Sequence, residues 1–262
     1  MSRAKSFLAI LFLAAVGTLL FLPRGENPII EDTVAESVTV RGYTDGGEPL
    51  WTVHAEEGRF DATHQILDRV TVEFHGEDRT TMNVQGDRLE RTDEISRLSG
   101  NVRIERSDDL HLNVDSLTWN ESAERLESGP MELSTETLRV SAAEFGYDLS
   151  AETASFSGDV EAEVDFETDW VIQADHAEES KGIVEFRGGV IAESAENESF
   201  RCESLQIKTD QEIACLSGDV VGQWPSGELS AESVCLDKSG VQAKGHVVAR
   251  LDLEELRTSD DT

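Results

Sequence analysis

The chain has 262 residues, 54 of them acidic and 22 basic, for a formal charge of −32. A phosphate backbone would be repelled by that charge, so nucleic acid is excluded as a partner. Its six histidines (His54, His64, His75, His111, His176 and His246) lack metal-ligand spacing, and there is no P-loop and no nucleophile elbow. The sequence therefore points to no catalytic residue, no metal and no cofactor.

Residues 1–6 are expected to form a cytoplasmic tip carrying Arg3 and Lys5. Phe7–Leu22 is an uncharged apolar run of 16 residues closed by Pro23 and Arg24. As a helix it spans about 24 Å, short of a bilayer core of about 30 Å. No small-x-small cleavage site and no nearby cysteine follow it, so the run reads as an uncleaved, single-pass inner-membrane anchor. Residues 23–35 read as a linker, and the rest of the chain is placed in the periplasm.

From there a short phrase recurs about every 29 residues, a period that marks a repeat architecture. It reads Ser-Gly-Asn-Val at Ser99–Val102, Ser-Gly-Asp-Val at Ser157–Val160 and Ser217–Val220, Arg-Gly-Gly-Val at Arg187–Val190 and Lys-Gly-His-Val at Lys244–Val247. Weaker copies stand at Leu67–Val70 and Ser128–Met131. Around the phrases apolar and polar residues alternate, as in Phe156, Gly158, Val160, Ala162 and Val164. Period two means strands with one apolar and one solvated face, so the body is all-β.

A second phrase, a small residue then an acid and an apolar residue, recurs between the first. Examples are Val114-Asp115-Ser116-Leu117, Cys202-Glu203-Ser204-Leu205 and Ala231-Glu232-Ser233-Val234. Apolar parity switches across it: Leu110, Leu112 and Val114 share one parity, Leu117 and Trp119 the other. Such a switch predicts a β-bulge at this phrase in every repeat, bending the antiparallel strands at one level into a trough. The tail at 252–262 is acidic, loses alternation and is expected to fray.

The three cysteines suit an oxidising compartment. If the strands flanking Trp224-Pro225-Ser226-Gly227 form a hairpin, Leu216 lies opposite Val234 and Cys215 opposite Cys235, within disulfide range. Nearer the turn, that register puts Val220 opposite Leu229, with the bulge at Ala231–Val234. Cys202 has inward parity and is left free.

Several of these motifs resemble a known family. Trp51-x-x-x-Ala55, Leu98-x-Gly100-Asn101-Val102, Leu117-x-Trp119 and Leu126-x-Ser128-x-Pro130-Met131-x-Leu133, behind the anchor, resemble the LptC-type protein of the lipopolysaccharide export (Lpt) machinery. Ile172-x-Ala174-Asp175, Val184-x-Phe186-x-Gly188-x-Val190, Leu216-x-Gly218-Asp219-Val220 and Leu229-x-Ala231-Glu232 resemble the periplasmic LptA/OstA-like proteins. The chain thus looks like an LptC-like β-jellyroll at 36–140 continued by LptA/OstA-like repeats at 141–251.

The resemblance implies an elongated, twisted β-jellyroll whose apolar groove holds the acyl chains of lipopolysaccharide. It also implies edge-to-edge strand pairing, with an inner-membrane ABC transporter at one end and another Lpt-type β-domain at the other. On shared inward parity, Leu112, Val114, Trp119, Phe145, Ile172, Phe186 and Leu216 are the groove candidates. Val38 and Val40 on the first strand, and Val247 and Ala249 on the last (Val241–Leu251), are the candidate partner contacts. Lipid A headgroups are anionic, so the acidic surface leaves them in water or bridged by divalent cations. The arginines of the first half (Arg59, Arg69, Arg79, Arg88, Arg91, Arg97, Arg103 and Arg106) read mostly as solvated scatter. The rival reading is an anchored parallel β-helix, a structural rod or polysaccharide-active protein, which also repeats every 20–30 residues.

Overall fold

The computed structural model describes residues 33–251, apart from 44–48, 62, 76–80, 93, 107–109, 121, 149, 166–168, 209, 210, 212, 238 and 239. The expected cytoplasmic tip, the anchor at Phe7–Leu22, all but the last three linker residues and the acidic tail lie outside the described residues. The described chain is all-β. Its strands are β1 (Thr33–Tyr43), β2 (Pro49–Phe60), β3 (Gln65–His75), β4 (Thr81–Arg91), β5 (Ile95–Arg106), β6 (Leu110–Asn120), β7 (Arg125–Ser128), β8 (Met131–Ser134) and β9 (Leu138–Ala142). They continue as β10 (Glu144–Asp148), β11 (Thr153–Asp165), β12 (Asp169–Ser180), β13 (Ile183–Ser194), β14 (Ser199–Lys208), β15 (Ile213–Trp224), β16 (Gly227–Asp237), β17 (Gly240–Lys244) and β18 (Val248–Leu251).

Alternation in sequence becomes alternation in burial. Along β6, Leu110, Leu112 and Val114 are buried while His111, Asn113 and Asp115 are exposed. Each described ladder is antiparallel, and the long strands pair with their neighbours in sequence. A parallel β-helix needs parallel ladders between successive coils, so the rival fold is ruled out.

The chain divides into two compact units. Among the described residues the first holds 33–136 and 144–152, the second 137–143 and 153–251. The division is not a single cut. Strand β9 pairs with β11 in the second unit, whereas β10, which follows it, pairs with β7 in the first. Leucine, valine and isoleucine dominate the first core, including Leu67, Ile104, Leu112 and Leu117. The second core mixes large residues such as Phe186 and Leu216 with many alanines.

The bulge sits on the other phrase from the one expected. Opposite β16, Ser217 faces Ser233 and Val220 faces Ala231, so Gly218 and Asp219 stand against Glu232 alone. The extra residue therefore belongs to the Ser-Gly-Asp-Val strand. The same count holds for Gly100 and Asn101 against Asp115, and for Gly158 and Asp159 against Asp175. The cause is conformational: Gly218 and Asp219 both have left-handed φ, 81° and 44°, which interrupts the ladder and re-aims the chain. At Leu67–Val70, which lacks the glycine, Arg69 alone is left-handed and the register stays unbroken.

Two register details follow. Val220 faces Ala231 rather than Leu229, which faces Gly222, because Trp224 and Gly227 pair across a two-residue loop. The expected last strand is interrupted at Gly245 and His246, again both left-handed, so Val247 falls between β17 and β18 instead of on the ladder.

Candidate functional site

The bulges keep inward side chains inward on both halves of each strand, which makes cross-strand apolar rows. In the first unit one row runs Val53, Val72, Val84, Ile104, Leu112 across β2 to β6, and another runs Leu67, Leu89, Leu98, Leu117. In the second unit Phe186, Leu205, Leu216 and Val234 follow one another across β13 to β16. Nearer the opposite strand ends, Ile172, Ala192, Phe200, Gly222 and Leu229 do the same.

All seven groove candidates lie on these inward faces. Leu112, Val114, Trp119 and Phe145 are buried in the first unit, and Ile172, Phe186 and Leu216 in the second, none more than 5% exposed. Closed at this level, the interior admits a guest only if side chains separate around it. Each methylene a guest shields from water contributes about 0.8 kcal/mol.

The edge candidates are more open. Val38 and Val40 on β1 are half-buried, Ala249 on β18 is exposed, and Val247 is 48% exposed. Val241 and Val248 are also exposed.

Cys215 and Cys235 are directly opposed on β15 and β16 and form a disulfide with Cα atoms 4.1 Å apart. Cys202 is free and buried. Burial pushes its thiol up to about 11, so it stays protonated and unreactive at neutral pH.

Three features escaped the sequence reading. Arg106, counted there among the solvated arginines, is buried at 7% exposure two residues beyond buried Ile104, on the same parity. Glu179 likewise takes inward parity after Ala177. Its Oε1 accepts the Gly182 N–H at 3.1 Å, and desolvation raises its pKa. The third is aromatic. Trp170 and Phe200 have ring centroids 5.9 Å apart, and a Cβ on Gly222 would lie 2.7 Å from Phe200 and 3.3 Å from Trp224. All three aromatic side chains are half-buried and share inward parity. The signal for Arg106 and for Glu179 was in the alternation itself, a charge on a core parity in each strand. The aromatic cluster needed the register.

Among the described residues no group of three His, Cys, Asp or Glu is arranged to hold a metal ion. Nor is there among them a helix long and apolar enough to cross a membrane. Comparison with protein-family models finds no match, and neither does comparison with curated proteins.

Proposed function

We propose that this protein is a membrane-anchored, periplasmic lipid carrier of the lipopolysaccharide export type, holding acyl chains between apolar β-faces and passing them from an inner-membrane ABC transporter toward the outer membrane. The observation that carries the reading is the set of inward apolar rows, repeated strand after strand behind a bulge at one level. Moving a lipid requires many nearly equivalent weak apolar stations and no bond-making group, and repeats supply such stations. The Cys215–Cys235 disulfide suits an oxidising compartment outside the cytoplasm. The exposed apolar residues of β17 and β18 suit pairing with a further β-domain of the same type.

The test is photo-crosslinking in cells. A photoreactive side chain at Phe145 or Phe186 should capture lipopolysaccharide when the transporter hydrolyses ATP, and one at Glu161 on the solvated face should not. Equal capture at all three positions would overturn the reading.

A further inference from the structure

The two cores differ in a way the repeat phrases do not announce. Among the described residues, seven of the eighteen buried apolar residues in the second unit are alanine, against one of twenty in the first. Packed β-faces stand about 10 Å apart and are filled by large side chains meeting between them. Alanine fills little of that space. An alanine-lined interior thus yields to a slender guest at lower cost than one of interlocked leucines, since fewer packed side chains must move.

The same unit has its half-buried aromatic cluster at one set of strand ends. Trp170 is the second residue of β12, Phe200 the second of β14, and Trp224 the last of β15. Next inward from Trp170 come Ile172 and then Ala174, about 13 Å along the strand for four residues. That depth suits a medium-length straight acyl chain. Wide, amphipathic aromatic rings at its start suit the boundary between apolar interior and water.

Charge narrows the occupant. The strand ends beside the cluster carry Asp169, Glu193, Glu196 and Glu198. Of the arginines there, Arg139 is engaged with Glu163 and Arg250 with Glu228, and exposed Arg201, next to Phe200, is outnumbered by the four acids. An anionic head at this rim meets repulsion that a divalent cation relieves, whereas an uncharged head meets none.

We infer that the second unit, and not the first, is the principal acyl seat, and that a single straight acyl chain enters it at Trp170, Phe200 and Trp224 with its polar head outside the acidic rim. This rests on the lipid-carrying role proposed above. It gives the longer-held acyl contact to one unit, where apolar parity alone spreads it evenly over both; lipid in transit still passes Phe145 of the first.

Bromine on an acyl chain quenches tryptophan only at contact range, so it is placed near the head, where the chain passes the rim; the four tryptophans are divided two and two between the units. The full chain in lipid nanodiscs is prepared as Trp51→Phe/Trp119→Phe, which keeps the rim pair, and as Trp170→Phe/Trp224→Phe, which keeps the other. Circular dichroism melts verify that both are folded. Added dodecyl maltoside brominated beside its head, at the third and fourth chain carbons, should quench the rim pair saturably and several-fold more than the other pair. Added 3,4-dibromododecanoate should do so only with magnesium present. Ala192→Phe in the rim-pair background, with its melt checked, should reduce the quenching several-fold; Ala192→Val is the milder substitute if it unfolds. Equal quenching of both pairs, or quenching of Trp51 and Trp119 alone, overturns the site and leaves the carrier role standing. No saturable quenching of either pair overturns both. Dodecanoate binding that ignores magnesium overturns the charge argument at the rim.

Discussion

At the residue scale the decisive positions are the left-handed ones, because they set where each strand bends. Gly218 has φ 81°, and a side chain there would also meet Glu203, whose nearest atoms stand 2.6 Å from the Cβ position. Gly129, in the weaker Ser-Gly-Pro-Met copy, has no positive φ and open space around it. The two glycines look alike in the repeat and should behave differently. Gly218→Ala should lower stability by about 1–2 kcal/mol from the backbone alone, and further from the collision. Gly129→Ala should be neutral or stabilising by up to about 1 kcal/mol, through the unfolded chain. Denaturant midpoints measure both. Adding Glu203→Ala to Gly218→Ala removes the colliding Cγ and Oε2 but keeps the Cβ, also 2.6 Å away, so it should restore part of the steric cost and none of the backbone cost; full recovery would show that φ is not what constrains the phrase.

At the element scale the unit of construction is the hairpin, and the β15–β16 pair is the one with a covalent tie. Its disulfide closes a loop of sequence separation 20, for which chain entropy gives about 3 kcal/mol. Reducing it, or making Cys215→Ala/Cys235→Ala, should cost about that much in a melt or denaturant titration. Amide exchange should accelerate first within 213–237 and leave β5 and β6 protected; uniform acceleration would mean that the hairpin does not open separately. The opposition of these cysteines was legible because two apolar rows on one parity, Leu216 with Val234, bring the neighbouring residues into register. The bulge was misplaced for an equally physical reason. Apolar parity marks where inward faces switch, but both partners of a bulge show a disturbance, and only the glycine's left-handed φ says which strand carries the extra residue. The aromatic cluster was not legible at all. Trp170, Phe200 and Trp224 lie on three different strands, and their proximity comes from accumulated register across β12 to β15.

At the scale of the whole molecule charge is the least balanced quantity, and the two halves carry it differently. Residues 41–139 have 11 arginines against 22 acids, and residues 140–262 have 8 basic residues against 28 acids. Many arginines of the first half are engaged at the surface, Arg69 with Glu56, Arg59 with Glu57 and Arg88 with Glu90. Exposed pairs of this kind contribute about 0–1 kcal/mol each. In the second half Asp159, Asp175, Glu203, Asp219 and Glu232 recur at the level of the bulges, all exposed, with His246 2.6 Å from Glu232 at the end of the series. Two opposed salt effects follow. Screening weakens the ion pairs, which destabilises, and weakens the general repulsion, which stabilises. With a net charge of −32 the repulsion is summed over many more pairs than the attraction, so it dominates. Raising ionic strength from about 0.01 to about 0.15 M shortens the Debye length from about 30 to about 8 Å, and the melting temperature should rise. The rise should be largest for probes in the second half, such as Trp170 and Trp224 fluorescence. A fall in melting temperature on adding salt would show instead that the arginine pairs outweigh the acidic surface in holding this protein together.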